Sequence, residues 1–191
     1  NDGNSLDPGH ATVYERGLLS GADKSETTTG TITVNTPGGL IALTIGGVSF
    51  TAAQLASPAY LAAHPINTGE GTLTLTGFNS ATGALSYSYT LNGPVNQPGV
   101  TESIDSIAVS VSSPGGTVGG TLSIRIVDTE PVANADANAI SEDAAPNSVS
   151  GNVFSNDAIG ADVTATPVTP TVGAATLTYG SLVLNSDGSY I

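Results

Sequence analysis

Short segments in which apolar residues alternate with small polar residues recur along the chain, and glycine, proline or asparagine stands between most of them. Residues 85–91 read Leu-Ser-Tyr-Ser-Tyr-Thr-Leu, and residues 122–127 alternate in the same way. Because successive side chains of a β-strand point to opposite faces of the sheet, this period of two predicts half-buried strands. Residues 79–83, Asn-Ser-Ala-Thr-Gly, have the composition of a hairpin turn. The predicted fold class is therefore all-β.

The same pattern predicts strands along the whole chain, with one exception. The exception is an alanine-rich stretch after Thr51, a residue type that caps helices. Since Pro58 and Pro65 limit its length, we expect a helix of one or two turns in a sheet connection. The predicted strands are residues 31–34, 40–45, 48–50, 73–76, 85–91, 107–111, 122–127, 149–154, 162–168, 175–180, 181–184 and 189–191.

The chain carries far more acid than base. Three Lys and Arg residues accompany sixteen Asp and Glu residues, which gives a formal net charge of −13 at pH 7. This balance argues against binding to nucleic acid or to an anionic membrane surface, because both attract basic patches. The sequence has no Cys, which excludes disulfides and thiolate metal sites. No apolar run reaches the roughly 20 residues of a membrane helix. The acids are therefore either spread through water or bound to cations.

The composition changes at Asp128, where alternating segments give way to acidic residues, proline and small residues. This change divides the chain into a linker from a preceding repeat (1–9), a first unit (10–129), an acidic connector (130–138) and a second unit (139–191). A unit of about 50 residues is too short to enclose a two-sheet core of ordinary size. We therefore expect the second unit to be truncated, or completed by something outside this chain.

Several motifs of the first unit resemble those of one family of bacterial surface proteins. Residues 71–91, Gly-Thr-Leu-Thr-Leu-Thr-Gly-Phe-Asn-Ser-Ala-Thr-Gly-Ala-Leu-Ser-Tyr-Ser-Tyr-Thr-Leu, are similar to the repeats of giant RTX-type adhesins and agglutinins exported by type I secretion. Residues 13–18 resemble the beginning of such a repeat, and residues 105–111 and 124–133 resemble its end. The second unit resembles a VCBS or cadherin-like repeat through residues 151–157 and 179–190.

The resemblance implies immunoglobulin-like β-sandwich repeats in tandem, with the second repeat incomplete. It implies an extracellular stalk on the bacterial cell surface, in which Ca²⁺ stiffens the repeats or their junctions. Such an extender supports cell adhesion and biofilm formation, and its partners are adjacent repeats of the same polypeptide. The chain departs from the family at residues 112–116, Ser-Ser-Pro-Gly-Gly, where such repeats often carry an acidic turn, and at residues 158–162, where an acid-rich run is thinned.

Candidate calcium ligands surround the predicted boundary between the units. Ca²⁺ takes six to eight oxygen ligands from carboxylates, amides, backbone carbonyls and water. No Lys or Arg follows Arg125 to compete with a cation for such oxygens. We expect several of the residues below to converge on one or more Ca²⁺ ions that fix the angle between the units; the alternative is a solvated acidic linker without metal. The expected ligands are Asp128, Glu130, Asn134, Asp136, Glu142 and Asp143.

Three further acids are candidate calcium ligands. Glu15 stands near the start of the first unit where Glu142 stands in the second, so it is expected to serve a junction with a preceding repeat. Asp105 precedes a predicted strand and either reaches an ion at the end of the sandwich or is an exposed turn acid. Asp157 either binds an ion at the loop end of the second unit or hydrogen-bonds the backbone in a turn with Asn156.

The sequence bears on three function classes other than a stalk. No enzymatic site is predicted, because His10 and His64 are the only imidazoles and no Gly-x-Ser-x-Gly motif accompanies them. Tyr87 and Tyr89 share one face of a predicted strand, either as an exposed aromatic strip for glycans or as core residues. The remaining alternative is a self-assembling extracellular filament or surface-layer subunit that a neighbour's strand completes.

Overall fold

The computed structural model describes residues 11–36, 38–97, 101–143, 145–158, 160–161 and 173–191, and the side chains of all of these except 173–176. The chain divides into two compact units, Asn1–Thr129 and Glu130–Ile191. Strands make up most of the regular structure, which confirms the all-β fold class. The predicted linker at residues 1–9 lies outside the described residues.

The first unit consists of strands with three short helices. Every strand predicted for this unit overlaps an observed one, whereas the observed strands Ala11–Tyr14 and Ile66–Asn67, which are too short to show a clear alternation, were not predicted. The helices are a 3-10 helix (Glu15–Leu19), α1 (Ala52–Leu55) and α2 (Pro58–Ala63). The strands are β1 (Ala11–Tyr14), β2 (Thr27–Thr33), β3 (Ala42–Ile45), β4 (Val48–Thr51), β5 (Ile66–Asn67), β6 (Gly71–Asn79), β7 (Ala84–Leu91), β8 (Glu102–Ser113) and β9 (Gly116–Val127).

These strands form two sheets. One sheet has the order β1-β9-β8-β3-β4, in which β1 runs parallel to β9 and all other neighbours are antiparallel. The other sheet has the order β2-β7-β6-β5 and is antiparallel throughout. A register shift between Leu75 and Gly77 marks a β-bulge in β6.

The hydrophobic core lies between the two sheets and follows the alternation of the sequence. On β7 the residues Leu85, Tyr87, Tyr89 and Leu91 are buried, and the residues between them are half-exposed. One face of each strand points at the other sheet, so every second side chain is removed from water. The core also contains Leu43, Ile45, Phe50, Leu55, Leu61, Leu73, Leu75, Ile107, Leu122, Ile124 and Ile126.

The helical connection between β4 and β5 is longer than the sequence predicted. The Thr51 cap is confirmed: Gln54 N–H donates to Thr51 Oγ1 (3.3 Å), and Thr51 N–H donates to Gln54 Oε1 (2.8 Å). Pro58 and Pro65 limit the helices as expected, because α1 ends before Pro58 and α2 ends before Pro65. The difference is that a second helix begins at Pro58, the first position of α2, where a missing N–H costs no hydrogen bond. Each helix places one leucine in the core, Leu55 from α1 and Leu61 from α2.

The described residues of the second unit form one antiparallel sheet with the order β10-β13-β12-β11. These strands are β10 (Gly151–Asn152), β11 (Gly173–Thr176), β12 (Ser181–Leu184) and β13 (Ser189–Tyr190). The predicted strand at 149–154 is reduced to the two residues of β10, and the one at 162–168 lies outside the described residues. None of the apolar side chains described in this unit is fully buried.

Candidate calcium sites

Every charged residue between Ala11 and Thr129 lies at one end of the first unit. At this end β2, β6 and β8 begin while β1, β7 and β9 finish, as the pairs Thr27–Thr90 and Glu102–Val127 indicate. The opposite end contains residues 34–36, 38–41, 80–83 and 114–115 and carries no charge in its described part. We call these the charged end and the neutral end. The charged end holds Glu15, Arg16, Asp23, Lys24, Glu26, Glu70, Glu102, Asp105, Arg125 and Asp128.

Asp105 is buried in the interior of the sandwich, with 8% of its surface exposed. Its Oδ2 atom accepts hydrogen bonds from Tyr89 Oη (2.7 Å) and Thr68 Oγ1 (2.5 Å). Because Tyr89 lies on β7 and Asp105 on β8, this carboxylate joins the two sheets at the charged end. Burial, and then the hydrogen bond to Asp105, raises the pKa of Tyr89 well above its usual value. A Cβ atom at Gly71 would lie 2.2 Å from Cζ of Tyr89, so the glycine makes room for the ring.

These contacts give Asp105 the environment of a structural carboxylate rather than of an exposed turn acid. The sequence contained a signal for this position, because Asp105 is two residues before Ile107 and therefore on the inward face of β8. Thr68 and Tyr89 were not predicted as its partners, since they lie on distant segments that only the folded chain brings together. A calcium role for Asp105 stays a prediction.

Glu15 is fully buried in the 3-10 helix that follows β1. Its Oε1 atom accepts a hydrogen bond from Val95 N–H (2.7 Å) and so holds the segment after β7. Glu142, its expected counterpart, lies in an exposed turn of the second unit. The two glutamates therefore have different surroundings, although both were predicted to serve junctions.

The expected ligands Asp128 and Glu130 lie on either side of the division between the units. Asp128 is half-buried at the end of the first unit, and its N–H donates to Thr101 O (3.0 Å). Glu130 is exposed at the start of the second unit. A calcium role for Asp128 and Glu130 stays a prediction.

Asn134 and Asp157, both expected ligands, are brought together in the second unit. Asp157 Oδ1 accepts a hydrogen bond from Asn134 N–H (2.6 Å), and Asn134 Nδ2 donates to Asn156 O (2.7 Å). Asn156 Nδ2 donates in turn to Ala135 O (3.1 Å). This cluster brings together one carboxylate with amide and backbone oxygens, which are ligands of the kind that Ca²⁺ prefers. The sequence predicted Asn156 only as a turn residue, and did not predict that its side-chain amide belongs to this cluster.

The other expected ligands of the second unit are exposed. Asp136 borders a surface hollow of about 470 Å³ that is lined by apolar residues, among them Leu182, Leu184 and Tyr190. Glu142 and Asp143 form an exposed turn, in which Asp143 adopts a positive φ of 66°. Among the described residues of the whole chain, no three His, Asp or Glu side chains are placed together to hold a metal ion. Any calcium site in that part would therefore depend on amide, backbone and water oxygens as well.

No family model, curated protein or solved structure matches this chain. The resemblance to RTX-type adhesin repeats therefore remains a prediction from the motifs. In the described part of the chain, no helix is long and apolar enough to cross a membrane.

The aromatic and imidazole side chains have structural contacts. Tyr87 and Tyr89 are 5% and 0% exposed, so these two tyrosines form no exposed strip for glycans and belong to the core. His64 stacks on Tyr60 with ring centroids 3.8 Å apart, and its Nδ1 lies 2.7 Å from Tyr60 O. His10 lies outside the described residues.

Proposed function

We propose that this chain is a structural extender of a bacterial cell-surface adhesin, in which immunoglobulin-like units follow one another in tandem. The strand order of the first unit supports this proposal. Immunoglobulin-type sandwiches place strands B, E and D in one sheet and C, F and G in the other. The orders β2-β7-β6 and β3-β8-β9 correspond to these two sets, and the motifs that resemble RTX-type adhesin repeats support the extracellular setting.

One observation carries the calcium part of the proposal. The chain has no Lys or Arg after Arg125, while the acids between Asp128 and Asp157 are exposed or half-buried and so accessible to a cation. Unneutralised carboxylates in one segment repel one another, and a divalent cation bound by their oxygens removes that repulsion. Calcium would then stiffen the acidic segment and suit it to a stalk, with adjacent repeats of the same polypeptide as its partners.

The test compares calcium with monovalent salt on the whole chain. At a calcium concentration about 100 times Kd, one bound ion raises the free energy of unfolding by about 2.7 kcal/mol. We expect CaCl₂ to raise the melting temperature above that in NaCl of equal ionic strength, and EGTA to reverse the effect. A second readout is small-angle scattering, in which EGTA should make the particle more compact or more flexible.

Two multiple variants, one in each unit, locate the effect. Asp136→Asn combined with Glu142→Gln and Asp143→Asn should remove most of the calcium-dependent shift. The control is Asp23→Asn combined with Glu70→Gln, which removes charge from the first unit and should leave the shift in place. If NaCl reproduces the whole effect of CaCl₂, the acids act only as a salt-adapted surface and the calcium proposal fails.

A further inference from the structure

Asn92 and Gly93 form the only Asn-Gly pair in the sequence, and they directly follow β7 at the charged end. A backbone nitrogen can attack the side-chain amide of the asparagine that precedes it, and glycine obstructs this attack least because it has no Cβ and is the most flexible residue. Asn92 is exposed, and a Cβ atom at Gly93 would meet nothing within 4 Å. The pair therefore has room for the ring that such an attack forms.

The peptide bond between these two residues lies outside the sheet. β7 ends at Leu91, and among the described residues no acceptor binds the Gly93 N–H. The N–H of Asn92 donates to Glu70 O (3.0 Å), and Thr72 Oγ1 donates to Asn92 Oδ1 (2.8 Å). The fold thus holds the main chain and the side chain of Asn92 in place, whereas the nitrogen that would attack is not engaged in the sheet.

The hydrogen bond from Thr72 lies where negative charge would develop. Attack on Cγ of Asn92 turns the carbonyl oxygen Oδ1 into an oxyanion, and a donor that already points at that oxygen stabilises the charge. We propose that Asn92 is a site of spontaneous deamidation and that Thr72 promotes the reaction.

The only co-reactant is water. The backbone nitrogen of Gly93 loses its proton and bonds to Cγ of Asn92; the Cγ–Nδ2 bond breaks, and Nδ2 takes up a proton and leaves as ammonia. Water then opens the five-membered imide, either at Cγ to give aspartate or at the main-chain carbonyl carbon to give isoaspartate. Because the first step removes a proton from nitrogen, the rate should rise with pH.

Deamidation would change the electrostatics of the first unit. Either product adds a carboxylate to the charged end, next to the segment that holds Glu70, and the chain then carries one negative charge more than −13. Like charges that accumulate at one end repel one another, so the charged end would become less favourable as the protein ages. The reaction does not involve calcium, and its test is independent of the proposed calcium function.

Asn79 gives a comparison within the same unit. Its Oδ1 atom also accepts hydrogen bonds, from the N–H groups of Ala81 (3.0 Å) and Thr82 (3.3 Å), but the residue that follows it is Ser80. The Cβ atom of serine obstructs the approach of its own nitrogen. We therefore expect Asn79 to react more slowly than Asn92, although both side-chain oxygens have donors.

Mass spectrometry of the whole chain, aged in its folded state and then digested, tests the proposal. Exchange of the amide NH₂ for OH raises the mass of a peptide by one dalton, and cleavage by chymotrypsin after Tyr89 separates Asn92 from Asn79. We expect Asn92 to be the first of the described asparagines to react, partly to isoaspartate, and faster at alkaline pH. The proposal is overturned if Asn79 reacts first, or if Asn92 stays intact in the folded chain while it reacts in urea.

Two variants separate the contributions of the glycine and the threonine. Gly93→Ala should slow the reaction in the folded chain and in urea, since the added Cβ obstructs the attack in both. Thr72→Val removes one hydrogen bond and should slow it by about two- to tenfold in the folded chain, but not in urea, where the contact is lost. The control Thr74→Val changes another half-exposed threonine of β6 and should leave the rate unchanged. If the folded Thr72→Val variant reacts as fast as the unchanged chain, the proposed promotion by Thr72 is wrong.

Discussion

The two units of this chain use the same local building blocks, but their described residues are buried to different degrees. Both contain antiparallel strands of alternating residues, and both contain an Asp-x-Ser turn, at Asp23 to Ser25 and at Asp187 to Ser189. In the first unit two sheets enclose an apolar core. In the second unit the described residues form one sheet, whose apolar side chains remain at least partly exposed.

This difference distinguishes the pairing of backbone groups, which both units have, from the burial of apolar side chains, which the described residues show only in the first unit. Pairing of strands satisfies the backbone groups in either unit, and it needs only neighbouring segments of suitable residues. Burial of apolar side chains needs a second layer, because one face of a sheet cannot cover itself. The stability of the first unit should therefore depend on its core, whereas that of the described part of the second unit should depend mainly on local contacts.

The largest expected effect comes from comparing the truncation of one leucine in each unit. Leu43→Ala, at a position with 0% exposure, should lower the free energy of unfolding of the first unit by about 2–5 kcal/mol. Leu184→Ala, at a half-buried position of β12, should cost the second unit about 1 kcal/mol or less. Hydrogen exchange of β8 and β12 amides under denaturant measures both units in one sample. Equal losses would mean that the second unit has a core of its own.

The next effect concerns the carboxylate that joins the two sheets. Asp105→Ala leaves the buried hydroxyl of Tyr89 without its acceptor and removes one hydrogen bond from the half-buried Thr68, and should lower the free energy of unfolding by about 2–3 kcal/mol. Glu70→Gln, an exposed acid at the same end, is the control. A structural role predicts the same loss in CaCl₂ and in EGTA, so a loss that occurs only in calcium would instead identify Asp105 as a ligand.

Alkaline pH should distinguish the buried tyrosine of the first unit from an exposed tyrosine of the second. The pKa of Tyr89 is raised in the folded state, so its contribution to stability is complete below the usual pKa of 10.0 and is lost as pH rises above it. Tyr89→Phe should therefore flatten the fall of melting temperature above about pH 10. Tyr179→Phe, whose ring is fully exposed, should leave that fall unchanged. Equal pH profiles for both variants would refute the assignment.

The smallest effect is expected in the turns that the two units share. Hydrogen bonds from Ser25 lower the pKa of Asp23, and those from Ser189 lower the pKa of Asp187. A lowered pKa stabilises the folded state above the usual value of 3.8, and that contribution is lost as pH falls through the folded pKa. Ser25→Ala and Ser189→Ala should each raise the neighbouring pKa toward 3.8 in an NMR titration. If the pKa of the aspartate rises in one unit only, the two turns are not equivalent, and their hydrogen bonds depend on the surroundings that each unit provides.

Much of the fold could be predicted because its signals are local. The alternation in residues 85–91 predicted β7 residue by residue, and Thr51 predicted the start of α1. Asn185 and Gly188 predicted the turn before β13, where Gly188 N–H donates to Asn185 O (3.0 Å). The second helix after Pro58 was missed, since the residue that ends one helix can equally begin another.

The candidate sites were less predictable than the strands. Glu15 was predicted from its position near the start of the first unit and Asp105 from its position before a predicted strand, yet both are buried and hold distant parts of the first unit together. Asp157 was paired with Asn134 only by the fold of the second unit, across more than twenty residues of sequence. Acidic residue type and sequence position cannot distinguish a metal ligand from a structural acceptor, because both roles use the same oxygen atoms.

The sequence by itself determined the class of the fold, the faces of most strands and the scarcity of basic residues, because each of these follows from residue type and from a period of two. Only the tertiary structure decided which strands are neighbours, that the described charges of the first unit meet at one end, and that Asp105 joins the two sheets. Those features depend on contacts between segments that are far apart in sequence, and such contacts are selected by the packing of the whole sandwich.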